Sequence, residues 1–359
     1  MSQSPKAPGV SRIRQDIQSM HAYAIQDSAG MVKLDAMENP HGLPPALQAH
    51  LGQRLGALAL NRYPDGRVND LRKALADHAQ MPEGFDLMLG NGSDELISLL
   101  ALACDVEGGS ILSPLPGFVM YAMSAQLQGL KFIGVPLTAD FELDEAAMLA
   151  AIAEHQPSII YIAYPNNPTA NLWDDAVIEK IINAAPGLVV MDEAYQPFSS
   201  KSYIDRIATH SHVLLMRTMS KFGLAGVRIG YMMGPKALIA EIDKVRPPYN
   251  ISVLNYECAL FALEHAEVFA AQAQEIRAQR AIVFAALQAL PGIKVWKSDA
   301  NMILLRVPDA AKTFEGMKAR KVLVKNVSKM HPLLAHCLRL TVGTADENAQ
   351  MLAALKESL

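Results

Sequence analysis

A lysine placed directly after a strand, with hydroxyl side chains before it and an arginine after it, is the most informative chemical signal in this 359-residue chain. The segment runs Arg217-Thr218-Met219-Ser220-Lys221-Phe222-Gly223-Leu224-Ala225-Gly226-Val227-Arg228. An amine in that position can form a Schiff base with the aldehyde of a phosphorylated cofactor. Thr218 and Ser220 can donate to phosphate oxygens, and Arg228, opening the next strand, can grip them with its guanidinium fork. Read alone, the string also fits a surface loop with a solvated lysine.

Support lies 29 residues upstream, where Asp192 ends the apolar run Val189-Val190-Met191. Ligands of open α/β sheets gather at such strand ends. A carboxylate there can keep a pyridine nitrogen protonated, and Tyr195 can reach an oxygen on the same ring. The alternative is an aspartate that caps the following turn. Glu193 reads as structural or solvated.

Three other strand ends carry candidates. Tyr164-Pro165-Asn166-Asn167-Pro168-Thr169-Ala170 is a rigid turn able to present the Asn167 amide at a fixed angle, or simply a turn. Leu89-Gly90-Asn91-Gly92-Ser93-Asp94-Glu95 is a glycine turn opening into a helix, whose unpaired N–H groups suit an anion. Ser93 or Asp94 could instead be plain helix caps. No GK[ST] follows and no GxGxxG is present, which disfavours nucleotide binding. Phe118, after Pro114-Leu115-Pro116-Gly117, can stack on a planar ring or pack in the core.

Elements able to hold these residues alternate regularly. Strands are expected at 87–89, 110–113, 131–135, 158–163, 188–191, 213–216 and 228–233, with amphipathic helices at 94–104, 118–128, 144–154 and 174–184. Apolar runs separated by helices predict an α/β fold built on a mostly parallel seven-stranded sheet covered on both faces. Arg246-Pro247-Pro248 then ends the pattern. Residues 252–290 read as helix with a break near His265. Strands at 294–295, 302–307, 322–325 and 337–342 and helices at 309–320 and 346–356 follow. The expected organisation is an arm at 1–40, a large domain at 41–246 and a small α+β domain at 247–359.

Composition narrows the classes. Hydrophobic residues make up 51% and charged residues 19%, and the net charge of −4 gives no reason to expect nucleic acid. The apolar runs are too short to span a bilayer. The first thirty residues lack a secretory h-region, which points to the cytoplasm. Cys104, Cys258 and Cys337 form no CxxC pair, and no metal site is expected.

Together, G-N-G-S-D-E, P-x-P-G-F, Y-P-N-N-P-T, M-D-E-A-Y, R-T-M-S-K and G-V-R-I-G-Y resemble, in order, the aspartate-aminotransferase group of pyridoxal-phosphate enzymes (fold type I). The likeness spans nearly the whole chain. It includes Asn61-Arg62-Tyr63-Pro64-Asp65-Gly66, the Asp35-to-Pro40 segment and the Cys337-to-Thr344 run. The resemblance implies pyridoxal 5'-phosphate as cofactor, with Lys221 as its covalent anchor and proton carrier. It implies that Asp192 holds the ring nitrogen, Tyr195 and Asn167 the ring oxygen, and Phe118 the ring face. Gly92, Ser93, Asp94, Ser220 and Arg228 would hold the phosphate, joined by Tyr63 from the second chain of a homodimer. Tyr23, Asn39, Lys325 and Arg339 would meet substrate. The implied reaction belongs to histidine biosynthesis and exchanges histidinol phosphate and 2-oxoglutarate for the imidazolyl-oxopropyl phosphate and glutamate. A threonine-phosphate decarboxylase, or an aromatic or broad-specificity aminotransferase, is the alternative on the same scaffold.

The chain departs from the group at four places. Phe118 replaces a frequent tyrosine, and Ala170 a usual glycine. The Lys221–Arg228 loop is one residue shorter than in many members. Lys325 stands where some members have an arginine, and so offers a point charge without the bidentate fork.

Overall fold

A computed structural model describes residues 8–20 and 26–359. Tyr23 lies outside the described residues. The chain divides into Met1–Gly30, with a 3-10 turn at Pro8–Arg12 and a short helix at Gln15–Ser19, and Met31–Leu359.

The larger unit is organised by a seven-stranded sheet: β1 (Phe85–Gly90), β2 (Ser110–Leu115), β3 (Lys131–Pro136), β4 (Ile159–Ala163), β5 (Leu188–Asp192), β6 (Val213–Thr218) and β7 (Gly230–Pro235). Their spatial order is β1-β7-β6-β5-β4-β2-β3. Only β7 runs antiparallel to its neighbours, β1 and β6. The central strands are apolar on both sides because both sides are covered. Val213 and Leu215 join one core cluster, whereas Leu214 and Met216 join the other. That alternation sends successive side chains to opposite faces and aligns the C-terminal ends of β4, β5 and β6 along one edge.

The four expected helices form at Ser93–Ala103, Val119–Gln128, Glu145–His155 and Asp175–Ala184. Helices at Pro45–Gly56, Arg67–Ala79 and Lys236–Ile242 add to them. The first fully buries none of its residues, although Leu47, Leu51 and Leu55 recur every four residues along one half-buried face. The seventh strand begins later than the expected 228: Arg228 adopts a left-handed φ of +58° just before it.

Beyond the proline pair, Val253–Glu264 and Ala266–Gln288 break at His265. A four-stranded antiparallel sheet then orders Lys325–Asn326, Cys337–Thr341, Met302–Arg306 and Lys294–Val295. The single strand expected at 322–325 is two. Val322–Leu323 pairs in parallel with Val32–Lys33, and Lys325–Asn326 pairs with Cys337–Thr341. Residues 31–40, read from sequence as part of an arm, therefore pair within the larger unit, with Leu34 and Met37 buried.

Candidate active site

A cavity of about 360 Å³ opens at the C-terminal edge of the large sheet. Of the residues singled out from sequence, Ser93, Asp94, Phe118, Asn167, Asp192, Tyr195, Ser220, Lys221 and Arg228 line it. Tyr121, Thr218, Ala36 and Glu38 also contribute to its walls.

Lys221 sits in a single wide, π-type turn at Ser220–Leu224 that departs from helical geometry at Gly223 (φ +142°). A short 3-10 turn at Ala225–Val227 completes the shortened connection to Arg228. The Lys221 amine donates to the Ala36 carbonyl at 3.0 Å and stands 5.9 Å from the Tyr195 ring centre. Burial first, then the positive charge of Arg339, lowers its pKa to about 8. Arg228 contributes less than Arg339 to that shift.

Asp192 is buried at the end of β5. Its Oδ2 accepts the Tyr121 phenol at 2.6 Å, and its Oδ1 accepts the Ala194 N–H at 3.0 Å. It therefore caps the turn as well as facing the cavity. Burial raises its pKa to about 6, against the lowering effect of the Tyr121 and Ala194 bonds. Burial also raises the Tyr195 phenol, which keeps it a hydrogen-bond donor at neutral pH.

The anion end is made by backbone. Gly92, at φ +81°, precedes the helix Ser93–Ala103, and no side chain caps that helix. Ser93 and Asp94 are thus not its caps, and the first-turn N–H groups face outward with the helix dipole behind them. A Cβ on Gly92 would lie 2.5 Å from an Arg228 Nη, and one on Gly230 would lie 2.6 Å from the Ser93 nitrogen. Thr218 donates to the Ser220 hydroxyl at 3.0 Å, and Arg228 stands 3.4 Å from Asp94.

Asn167 is held by Arg339, whose Nη1 donates to Asn167 Oδ1 at 2.7 Å while Nη2 donates to the Asp35 carbonyl at 2.7 Å. The Asn167 amino group is left as the donor presented to the cavity. Ala170, where the resembling group usually has glycine, occupies the left-handed region at φ +64°.

Besides Gly92 and Arg339, which back the wall residues, three sequence candidates lie off the cavity wall. Asn39 donates to the Gln272 side chain at 3.0 Å and to the Phe222 carbonyl at 3.4 Å, and accepts from the His41 N–H at 2.9 Å. Lys325 lies opposite Arg339 in the small sheet. Tyr63 is 76% exposed and stacks on Tyr249 at 4.5 Å.

Tyr121 is a wall residue that none of the sequence motifs singles out. It lies three residues after Phe118, one helical turn along, and stacks on Tyr161 at 4.3 Å. That spacing was the available signal, although a buried aromatic on a helix also fits core packing.

An amine at one strand end, a buried carboxylate at the next and a backbone anion cradle fit an aldehyde cofactor with a ring nitrogen and a phosphate. The chain belongs to the class I and II aminotransferases, whose family model matches residues 29–355. This family depends on pyridoxal 5'-phosphate. Over 97% of the chain and 96% of the relative, it is 84% identical to a histidinol-phosphate aminotransferase of Polaromonas naphthalenivorans. It is 70% identical to one of Methylibium petroleiphilum over 98% and 96%. Among solved structures, it resembles histidinol-phosphate aminotransferase from Sinorhizobium meliloti in complex with pyridoxal-5'-phosphate. There the TM-score is 0.81 with 24% identity, covering 97% of each chain. Among the described residues, no helix is long and apolar enough to cross a membrane.

Proposed function

We propose that this aminotransferase exchanges the amino group of histidinol phosphate with 2-oxoglutarate, forming imidazole-acetol phosphate and glutamate, as a reversible step of histidine biosynthesis. The observation that carries this reading is the meeting of Lys221, Asp192 and the anion cradle in one cavity of a chain so similar to its Polaromonas relative.

Pyridoxal phosphate, when bound, supplies an electron sink for the charge left as the substrate Cα–H bond breaks. Asp192 would keep the ring nitrogen protonated. Asn167 and Tyr195 would donate to the ring oxygen, and Phe118 would lie against the ring. Gly92, Ser93 and Asp94 would hold the phosphate through the helix N-terminus, helped by Ser220 and Arg228. Lys221, whose amine has its pKa lowered to about 8, would hold the cofactor through Nζ. Its Nζ, when free, would take the substrate Cα proton as general base and return it as general acid. Arg339, with Lys325 beside it in the small sheet, would receive the substrate phosphate in one half-reaction and a carboxylate in the other.

A homodimer belongs to this reading, with Tyr63 reaching the partner's phosphate site. Its support is the exposure of Leu60, Tyr63, Tyr249 and Leu254, of which Tyr63 and Tyr249 stack. The proposed setting is cytoplasmic, and the large domain at 41–246 would carry the cofactor while 247–359 supplies Arg339.

The test is product analysis. Histidinol phosphate and 2-oxoglutarate should yield glutamate in equimolar amount with imidazole-acetol phosphate. Release of carbon dioxide from threonine phosphate, with no glutamate formed, would overturn the assignment in favour of a decarboxylase.

A further inference from the structure

Glu193 and Arg217 form an ion pair with 0% and 6% of their surfaces exposed. Arg217 donates to Glu193 Oε2 from Nε at 3.0 Å and from Nη2 at 2.9 Å. The Ser202 hydroxyl donates to the same oxygen at 3.0 Å and accepts from Arg217 Nη2 at 3.0 Å. The Tyr203 N–H donates to Glu193 Oε1 at 2.5 Å. Arg217 also bonds the Tyr231 phenol, so the network is directional and reaches the neighbouring strand.

Its place in the sheet is informative. The parallel ladder of β5 and β6 ends where Asp192 pairs with Met216. Beyond that rung the first chain leaves the sheet towards Tyr195, while β6 runs on to Thr218 beside β7 and then turns towards Lys221. Glu193 is the first residue after β5 and Arg217 the next residue of β6, so their ion pair, with the Glu193 N–H bond to the Met216 carbonyl at 2.8 Å, ties the two chains where they part. Because side chains alternate, both point away from the cavity that Asp192 and Thr218 line. They border a small hollow behind it, with His78 and Phe222.

Stability alone is a poor reason for such a pair. Desolvating two charges offsets most of their attraction, and well-packed apolar replacements are often neutral or stabilising. What an apolar pair lacks is fixed direction. A misplacement of about 1 Å in reacting groups can cost roughly a hundredfold in rate.

We propose that Glu193 and Arg217 are positioning residues that hold the Asp192 strand end at a fixed distance and angle from the Lys221 turn. The proposal rests on the catalytic reading above and extends it to residues that touch neither substrate nor cofactor.

The experiment is the double replacement Glu193→Leu with Arg217→Met, which strands no charge, studied as the cofactor-loaded enzyme. The expected result is a folded protein, with a modestly lower melting temperature because Ser202, the Tyr203 N–H and Tyr231 lose partners, and with kcat lowered roughly ten- to a hundredfold. KM should stay within about twofold, since no substrate contact is lost. The pH midpoint of the bound cofactor's visible absorbance should shift, because the carboxylate and the amine are no longer held in register. Parent-like kcat and midpoint would overturn the proposal. If the double variant does not fold, Arg217→Lys decides, since it keeps the charge and removes the fork. The same loss of kcat and shifted midpoint support positioning, and parent-like values oppose it. Failure of both variants to fold would assign the pair to stability and also overturn the proposal. Should the parent form no glutamate from histidinol phosphate, the substrate reading fails, while the absorbance midpoint still tests the pair.

Discussion

The Tyr121 phenol donates to Asp192 Oδ2 over 2.6 Å inside the cavity wall, while the Tyr121 ring stacks on Tyr161 and meets the edge of Phe118. One helical turn thus links the aromatic proposed to cover the cofactor ring with the carboxylate proposed to hold its nitrogen. Burial pushes Asp192 towards its neutral form, and the Tyr121 bond pulls it back towards the carboxylate.

Replacing Tyr121 by phenylalanine removes that bond and keeps the stacking. A hydrogen bond to a charged group contributes about 1.5–3 kcal/mol, so cofactor affinity should fall at least tenfold at neutral pH. In the parent, affinity should weaken as pH falls through about 6, where Asp192 takes up a proton. The variant's carboxylate is more basic, so the loss should begin at higher pH. Titrating cofactor-free protein with pyridoxal phosphate across this range measures both effects. An unchanged profile would contradict the assigned role of Asp192.

The Lys221 amine is nucleophilic only when neutral. With its pKa lowered to about 8, the rate of cofactor attachment should rise with pH through a midpoint near that value. Removing the Arg339 charge in Arg339→Leu should raise the midpoint, because a neighbouring cation disfavours the protonated amine. Stopped-flow absorbance measures the rate, and a midpoint that stays in place would show that Arg339 does not act on Lys221.

Gly223 adopts φ +142°, and a Cβ there would lie 2.8 Å from Phe269 Cδ1 and 3.2 Å from Asn39 Nδ2. Gly223→Ala should therefore cost about 1–3 kcal/mol in backbone strain and displace the lysine turn. Denaturant unfolding and kcat should both report the change. Full activity with unchanged stability would mean that the turn relaxes freely.

Gly92→Ala acts at the other end of the cavity. Its methyl group would press on the Arg228 guanidinium at 2.5 Å and strain a left-handed backbone. Pyridoxal phosphate should bind about tenfold more weakly, a loss of roughly 1.4 kcal/mol, while pyridoxal without its phosphate should be little affected. Equal weakening of both would place the defect outside the anion cradle.

Strand ends were the legible part of this sequence. Asp192, Asn167 and Lys221 each follow an apolar run closely, so the ladder that orders those runs also brings the three side chains to one edge. Less was legible where partners are distant in sequence. Nothing local to Lys221 announces the Ala36 carbonyl, 185 residues away. Glu193 left structural and solvated readings open, and only packing shows it sealed against Arg217. Tyr121 carried a spacing clue that core packing explains equally well. A strand is expected to open at Arg228, yet Arg228 adopts a left-handed φ of +58° and β7 begins at Gly230. Val322 to Lys325 read as one strand because both halves are extended, yet they serve two different partners.

The central claim is that Lys221 carries the cofactor. Borohydride reduction of the loaded enzyme, followed by proteolysis and mass mapping, tests it most directly. One reduced pyridoxyl-phosphate group on the peptide containing Lys221, absent from Lys221→Ala, is the predicted result. A label on any other lysine, or an equal label in Lys221→Ala, would contradict the account.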